Sequence, residues 1–279
     1  MKTYGRRQFL KGAAAAAVVG AVSPAAASTS DPGPPEAERP TFVVPDLDPA
    51  HDGLRVAQLS DLHVGPRTPP ERIRAAIDEA NGFRPDLVVL TGDYLSRARS
   101  GVGLMRELLG GLEAPTVAVL GNHDHWVDPA GAVTSLSRLG YAVLQNQNTT
   151  LRLRGAPFTV IGVGDLVTRN ADVGRAVKGA RAGSRLAIAH GPRTAELLSG
   201  FDKPLLCLSG HTHGGQVNIP GLTWLFLQAV LHEPYDRGLF RVGKVQLYVN
   251  RGVGNSAVRI RVNSPPEVTL ATLRSGAAA

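Results

Sequence analysis

The chain has 279 residues, 43% of them apolar, a single cysteine, and 30 Lys/Arg against 23 Asp/Glu for a formal net charge of +7. That length and apolar content can bury a core without covalent staples, which excludes a disulfide scaffold, and Cys207 reads as a small core residue. Four of the cations (Lys2, Arg6, Arg7, Lys11) sit in the first 27 residues with no acid, so the remainder carries only +3; no Lys/Arg block with interleaved aromatics marks a nucleic-acid surface, and no nucleic-acid partner is expected.

Residues 1–27 open on a basic segment with Arg6-Arg7, pass through an Ala/Val stretch and end in Ala25-Ala26-Ala27. This is the pattern of a twin-arginine signal peptide, and the apolar stretch over 12–22 is well short of the ~20 residues of a membrane span. The expected partner is therefore the twin-arginine export machinery, and the expected location extracytoplasmic: cell envelope or secreted. Residues 28–40, rich in Pro, Glu and Ser, are expected to be a disordered linker. One α/β domain is expected over 41–275.

Within it, strand-like apolar runs end repeatedly in short polar clusters. The run 56–59 leads into Asp61 and His63. A helix follows from Pro69-Pro70-Glu71, with an apolar stripe at Ile73, Ala76, Ile77 and Ala80, and stops at Arg84-Pro85. The run 87–90 leads into Gly92-Asp93; a helix is expected over 104–112; the run 116–120 leads into Gly121-Asn122-His123-Asp124. A helix over 129–139, a strand over 141–144 and a hairpin of 151–154 with 158–163 come next, then Asp165, read as a turn residue. A helix over 172–180 precedes the run 186–189 and His190. A short helix over 194–198 precedes 205–208 and Gly210-His211-Thr212-His213. Strands are expected over 239–242, 245–249 and 268–273.

Open α/β sheets gather functional groups beyond the carboxyl ends of their strands, so these ends pool Asp61, His63, Asp93, Asn122, His123, Asp124, His190, His211 and His213 in one cleft. Imidazoles and oxygen donors without thiolate suit divalent metals of intermediate hardness.

Asp61-x-His63, Gly92-Asp93, Gly121-Asn122-His123-Asp124, His190 and Gly210-His211-x-His213 stand in the order of the calcineurin-like metallophosphoesterase signature. With Gly214-Gly215-Gln216, Gly252-Val253-Gly254 and Pro266-Glu267, the chain resembles the exported, twin-arginine branch of small phosphoesterases. The resemblance implies a four-layer α/β/β/α sandwich with two mixed β-sheets and a site for two divalent ions, Mn, Fe or Zn. It implies one metal on Asp61, His63 and His213, the other on Asn122, His190 and His211, and Asp93 bridging both. The implied reaction is hydrolysis of phosphomonoesters or phosphodiesters, of envelope lipids or cell-wall precursors among others, by in-line attack of a hydroxide shared between the cations. His123 is assigned as general acid or phosphate-oxygen donor, with Asp124 orienting its ring and raising its pKa.

Arg193, and Arg251 or Arg259, are read as phosphate partners against a surface salt-bridge alternative. The apolar run 221–231, with Trp224, reads either as a buried helix or as a flap and acyl-chain surface, and a peripheral contact with membrane or cell wall stays open. Two other function classes are weighed: a nuclease of the same superfamily, disfavoured by the missing basic aromatic patch, and a non-catalytic envelope metal-binding protein, which predicts gaps in a catalytic set that shows none.

Overall fold

The computed structural model describes residues 33–276 apart from residues 100, 202, 204, 230 and 257; the export segment and the first part of the linker, residues 28–32, lie outside the described residues. The chain enters through strands β1 (Glu36–Glu38) and β2 (Thr41–Val44). It then alternates β3 (Leu54–Leu59), α1 (Pro70–Gly82), β4 (Leu87–Leu90), α2 (Gly101–Leu109), β5 (Thr116–Ala118), α3 (Asn122–Val127), α4 (Pro129–Arg138) and β6 (Ala142–Val143). A hairpin of β7 (Gln147–Leu153) and β8 (Ala156–Gly162) leads to α5 (Val173–Val177), β9 (Arg185–Ile188), α6 (Thr194–Leu198), β10 (Leu205–Ser209) and α7 (Leu222–Ala229). The chain closes with β11 (Gly238–Val242), β12 (Val245–Val249) and β13 (Glu267–Ser275).

The strands form two mixed sheets, in the orders β1-β13-β3-β4-β5-β6, with β2 also on β13, and β11-β12-β10-β9-β8-β7. In the first, β13 runs antiparallel to β3 while β3, β4 and β5 are mutually parallel. In the second, β9 and β10 are parallel. The ends that carry the polar clusters therefore point the same way within each sheet.

Alternation along the strands builds three apolar layers. Val56 on β3, Val89 on β4, Val160 on β8 and Leu206 and Leu208 on β10 face inward and fill the space between the sheets. Their neighbours Ala57, Leu59, Val88 and Leu90 face outward and pack on Ile73, Ala76 and Ile77 of α1, Met105 and Leu109 of α2, and Leu136 of α4. On the far side, Ala187, Leu205 and Cys207 pack on Ala176 of α5 and Ala195 and Leu198 of α6. The arrangement is the expected four-layer α/β/β/α sandwich. Burial pushes the Cys207 thiol up to about 12, so it serves as a core residue and not a nucleophile.

Four elements differ from expectation. The stretch expected to be disordered as far as residue 40 contains β1, which pairs in parallel with β13. Its backbone completes a sheet edge while Glu36 and Glu38 pair with Arg251, an interaction that apolar patterning does not register. The helix expected over 104–112 runs instead over Gly101–Leu109 and gives way before Gly110-Gly111. Asn122–Val127, expected only as a polar cluster at a strand end, is a short helix separated from β5 by three residues. The run 221–231 is not a buried helix: in α7 Thr223 and Leu227 are buried, whereas Leu222, Trp224 and Leu225 face out.

Phe158 is fully buried between the sheets, edge-on to the His51 ring at 5.3 Å. Phe158→Ala is expected to cost about 3–5 kcal/mol. Urea unfolding should show a lower midpoint with an unchanged slope.

Candidate metal centre

Five of the strand-end residues, Asp61, His63, Asp93, His211 and His213, have positive φ, between 43° and 76°. Left-handed backbone at a non-glycine residue costs roughly 1–2 kcal/mol and persists where surrounding structure holds it. Here the parallel strands hold it. Each chain turns sharply just past its strand, which throws the side chain sideways into the space between the two sheets' ends.

The result is a buried cluster. Asp61 Oδ1 lies 3.3 Å from His213 Nε2 and 4.0 Å from His63 Nε2, and those two nitrogens are 3.0 Å apart. His190 Nε2 lies 3.0 Å from Asn122 Oδ1 and 3.2 Å from His211 Nδ1. Between the groups, Asp93 Oδ2 is 3.5 Å from His63 Nε2 and 3.4 Å from His190 Nε2. The two histidines of Gly210-His211-Thr212-His213 divide between the groups, His211 Nδ1 against His190 Nε2 and His213 Nε2 against His63 Nε2.

These spacings match the edges of a coordination shell, because N and O donors bound at about 2.0–2.2 Å stand roughly 2.8–3.6 Å from one another. Three triads among the described residues, Asp61/His63/His213, Asp61/Asp93/His190 and His63/Asp93/His123, each hold one donor atom per residue within 4.8 Å of the others. Asp61 Oδ1 is fully buried with no hydrogen-bond partner, whereas Oδ2 accepts from Ser60 Oγ at 2.6 Å and His211 N at 2.9 Å. A buried, unpartnered carboxylate oxygen facing two imidazole nitrogens is the donor set of a cation site. The residues present fit a divalent metal.

The protonation pattern points the same way. Burial brings His63 down to about 3 and His211 down to about 4 and holds His213 well below its ordinary value, which leaves lone pairs for a metal. Burial alone would raise Asp93, but His190, His63 and His123 around it hold it well below the usual carboxylate range. His190 is the exception: burial opposes its charge, yet Asp93 beside it holds it well above its ordinary value. Its Nδ1 faces Thr91 O at 2.8 Å, a contact that orients Nε2 into the cluster.

His123 lies beside the cluster, its ring 4.6 Å from that of His63, with Nδ1 donating to Ser96 O at 2.7 Å. Half-exposed Trp126 packs on its other side at 5.1 Å. Asp124 does not orient this ring. Its carboxylate accepts from the backbone N–H groups of Asp93 at 2.9 Å, Leu95 at 3.0 Å and Gly121 at 2.9 Å, tying the β4 and β5 loops together. Burial, with the charge of Asp93, pushes Asp124 up to about 7.

The three substrate contacts read from sequence do not join this cluster. Arg251 is spent on Glu267 at 2.8 Å, Glu38 at 2.7 Å and Glu36 at 3.4 Å. Arg193 pairs with Glu196 at 3.2 Å, its salt-bridge alternative. Trp224 is 52% exposed on α7. Asp165 accepts from Thr168 N and Oγ1 at 2.7 Å, the turn role expected of it. Arg261, which the sequence did not single out, is mostly buried against the loop 251–255, with Nη2 3.1 Å from His213 Nδ1.

The calcineurin-like phosphoesterase family profile matches residues 54–215, which span β3 to the His213 turn. The chain belongs to that family. It is 31% identical to the metallophosphoesterase YkuE of Bacillus subtilis over 99% of both chains. It is 34% identical to the phosphodiesterase YaeI of Escherichia coli over 79% of this chain and 82% of that one. A UDP-2,3-diacylglucosamine pyrophosphatase, LpxG of Chlamydia trachomatis, is 27% identical over 78% of this chain and 83% of that one. The protein is a metal-dependent phosphoesterase.

Gly121 sits against Asp93, and a β-carbon there would lie 2.1 Å from Asp93 Oδ1. Gly121→Ala is expected to displace that carboxylate and cut bound metal per chain, measured by elemental analysis, while the far-ultraviolet circular dichroism stays that of the parent.

Proposed function

We infer that the chain is an exported phosphoesterase with two divalent ions, Mn, Fe or Zn, acting on phosphodiesters or phosphomonoesters of the envelope. The observation that carries the two-ion reading is Asp93 Oδ2, placed 3.5 Å and 3.4 Å from one imidazole of each donor group. Asp61, His63 and His213 would hold one ion, Asn122, His190 and His211 the other, and Asp93 would be shared. Bound there, the cations supply Lewis-acid polarisation of a phosphoryl oxygen and acidify water.

The chain's own residues do the rest. His123, whose Nδ1 donates to Ser96 O, leaves Nε2 free to face the departing oxygen, and in its imidazolium form it would pass the Nε2 proton to that oxygen and become the neutral ring. Asp93 Oδ1 accepts from His123 N at 2.8 Å, so the shared carboxylate and the acid are set by one hydrogen bond. Asp124 holds the backbone that carries both. Export rests on Arg6-Arg7 and Ala25-Ala26-Ala27, and the outward apolar face of α7 supports a peripheral contact with membrane or wall. Replacing Arg6-Arg7 by Lys-Lys should retain the uncut chain in the cytoplasm; unchanged release would overturn the export reading.

The chain from residue 28, given Mn²⁺, should hydrolyse bis(p-nitrophenyl) phosphate, and chelator should abolish the turnover. His123→Ala should lower kcat by about 10²- to 10⁴-fold. The loss should be larger for an alkyl ester than for the nitrophenyl ester, whose leaving group needs little protonation, and metal content should stay that of the parent. Parallel loss of metal and activity would refute the acid role.

A further inference from the structure

The two donor groups are unequal in charge. Asp61 brings a carboxylate to His63 and His213, whereas Asn122 brings only an amide oxygen to His190 and His211, so the second group relies on the shared Asp93 for all of its negative charge. Outside the donors the order is reversed. Behind the first group stands a cation, Arg261, whose Nη2 is 3.1 Å from His213 Nδ1. Behind the second stands a carboxylate, Asp165, of which the mechanism above makes no use.

Asp165 follows β8 as His190 follows β9. The two strands are parallel with Gly162 opposite Ile188, and Val163 N donates to Ile188 O at 3.0 Å, so Asp165 and His190 leave neighbouring strands at the same edge of the sheet. The loop that Asp165 opens is fixed on both sides. Gly164 N donates to Asn146 Oδ1 at 2.8 Å, Asn170 N donates to Asp165 O at 2.8 Å, and Asn170 Nδ2 lies 3.5 Å from His125 Nδ1 on α3, the helix that starts with Asn122. The Asp165 side chain is fully buried, and its turn role engages only Oδ2; Oδ1 has no hydrogen-bond partner among the described residues. An unpaired carboxylate oxygen out of water is costly unless positive charge lies nearby. The groups that feel its charge are those of the second donor set. Burial and His190 lower His211 while Asp93 and Asp165 act to raise it, and at His190 Asp165 works against burial alongside Asp93 and Asp61.

We propose that Asp165 is the outer charge partner of the Asn122/His190/His211 group, a positioning residue that supplies the negative charge its donors lack and so raises the affinity of the ion held there. The proposal rests on the two-ion phosphoesterase reading and deepens it. A fixed charge in the same buried pocket acts through a low dielectric, so it stabilises a cation without touching it. Arg261 has the opposite effect on the first group, which bears it because Asp61 is a direct donor. The pair of outer charges thus narrows the difference between donor sets of unequal charge.

Two substitutions separate this charge role from the turn role. Asp165→Asn keeps an oxygen to accept from Thr168 and removes the charge; Asp165→Glu keeps the charge and lengthens the side chain, which displaces the turn contact. Calorimetric titration of the chelator-treated full chain with Mn²⁺ should show two ions bound. In Asp165→Asn one of them should bind roughly tenfold to a hundredfold more weakly, the range for losing an outer partner of a metal ligand, with the other unchanged and the far-ultraviolet circular dichroism that of the parent. Asp165→Glu should keep most of the affinity. In Asn122→Ala, which disables the second group, adding Asp165→Asn should leave the affinity of the remaining ion as it was. Parental binding of both ions by Asp165→Asn, equal weakening of both, or a Glu variant that loses what the Asn variant retains would overturn the charge role and leave the two-ion reading standing. A parent chain that binds a single ion would overturn that reading, and the proposal with it.

Discussion

The structure turns on burying two carboxylates, Asp61 and Asp93, among imidazoles at the mouth of two sheets. Ionised carboxylates out of water are costly unless each oxygen finds a donor or a cation. Asp61 satisfies one oxygen with Ser60 and the backbone of His211, and Asp93 one oxygen with the backbone of His123. Asp61 Oδ1 faces His63 and His213, which burial holds well below their ordinary values, while Asp93 Oδ2 faces His63 and His190, the one imidazole that Asp93 holds well above its own. Such a cluster is a poor hydrogen-bond network and a good ligand set, and that imbalance is what makes a cation its natural completion.

Holding the cluster before any cation arrives requires a rigid frame, because the same imbalance would otherwise relax by letting water in. The frame is polar as well as apolar. Gln58, buried on β3, donates to Thr91 Oγ1 at 3.1 Å and to Ser209 O at 2.9 Å, linking the end of one sheet to the end of the other. Tyr94 donates to Leu90 O and Val119 O and ties β4 to β5 beneath the site. Close approach of backbones completes it: a β-carbon on Gly210 would lie 1.9 Å from Ser60 Oγ and 2.2 Å from Asp61 Oδ2. The glycines of the motifs are there for room, so that loops from opposite sheets can touch.

Most of this was legible in the sequence because each donor follows an apolar strand by one to four residues, and a parallel strand end has a definite destination. The four-layer order was legible only through the resemblance those motifs carry; its physical basis is that strands apolar on both faces need a partner on each side. What escaped reading acts through the backbone. Asp124 looks like a partner for its neighbour His123, but its carboxylate is taken by three N–H groups, two of them from the β4 loop some thirty residues earlier in the chain. Ser96 contributes a carbonyl, which any residue would supply, so its identity carries no signal. Arg261 sits among loop carbonyls whose positions exist only after folding. Strand β1 has charged residues at both ends and meets its pairing partner some 230 residues later in the chain.

The same contrast explains why the chemistry is better determined by sequence than the choice of substrate. Metal donors stand just past strands, whose ends are fixed by the sheets, while α7 and the loop 251–255 lie further along the chain from any strand end that carries a donor. Yet these loops are not loose appendages. Thr223 anchors α7 through its hydroxyl to Val217 O at 2.9 Å and Ile219 N at 2.8 Å, directly after the turn that carries His213. Asn255 and Arg261 fasten the loop 251–255 to the same histidine. An exposed apolar helix face and a polar loop are thus both fastened around one metal donor, and short hydrogen bonds set where each stands relative to the cluster.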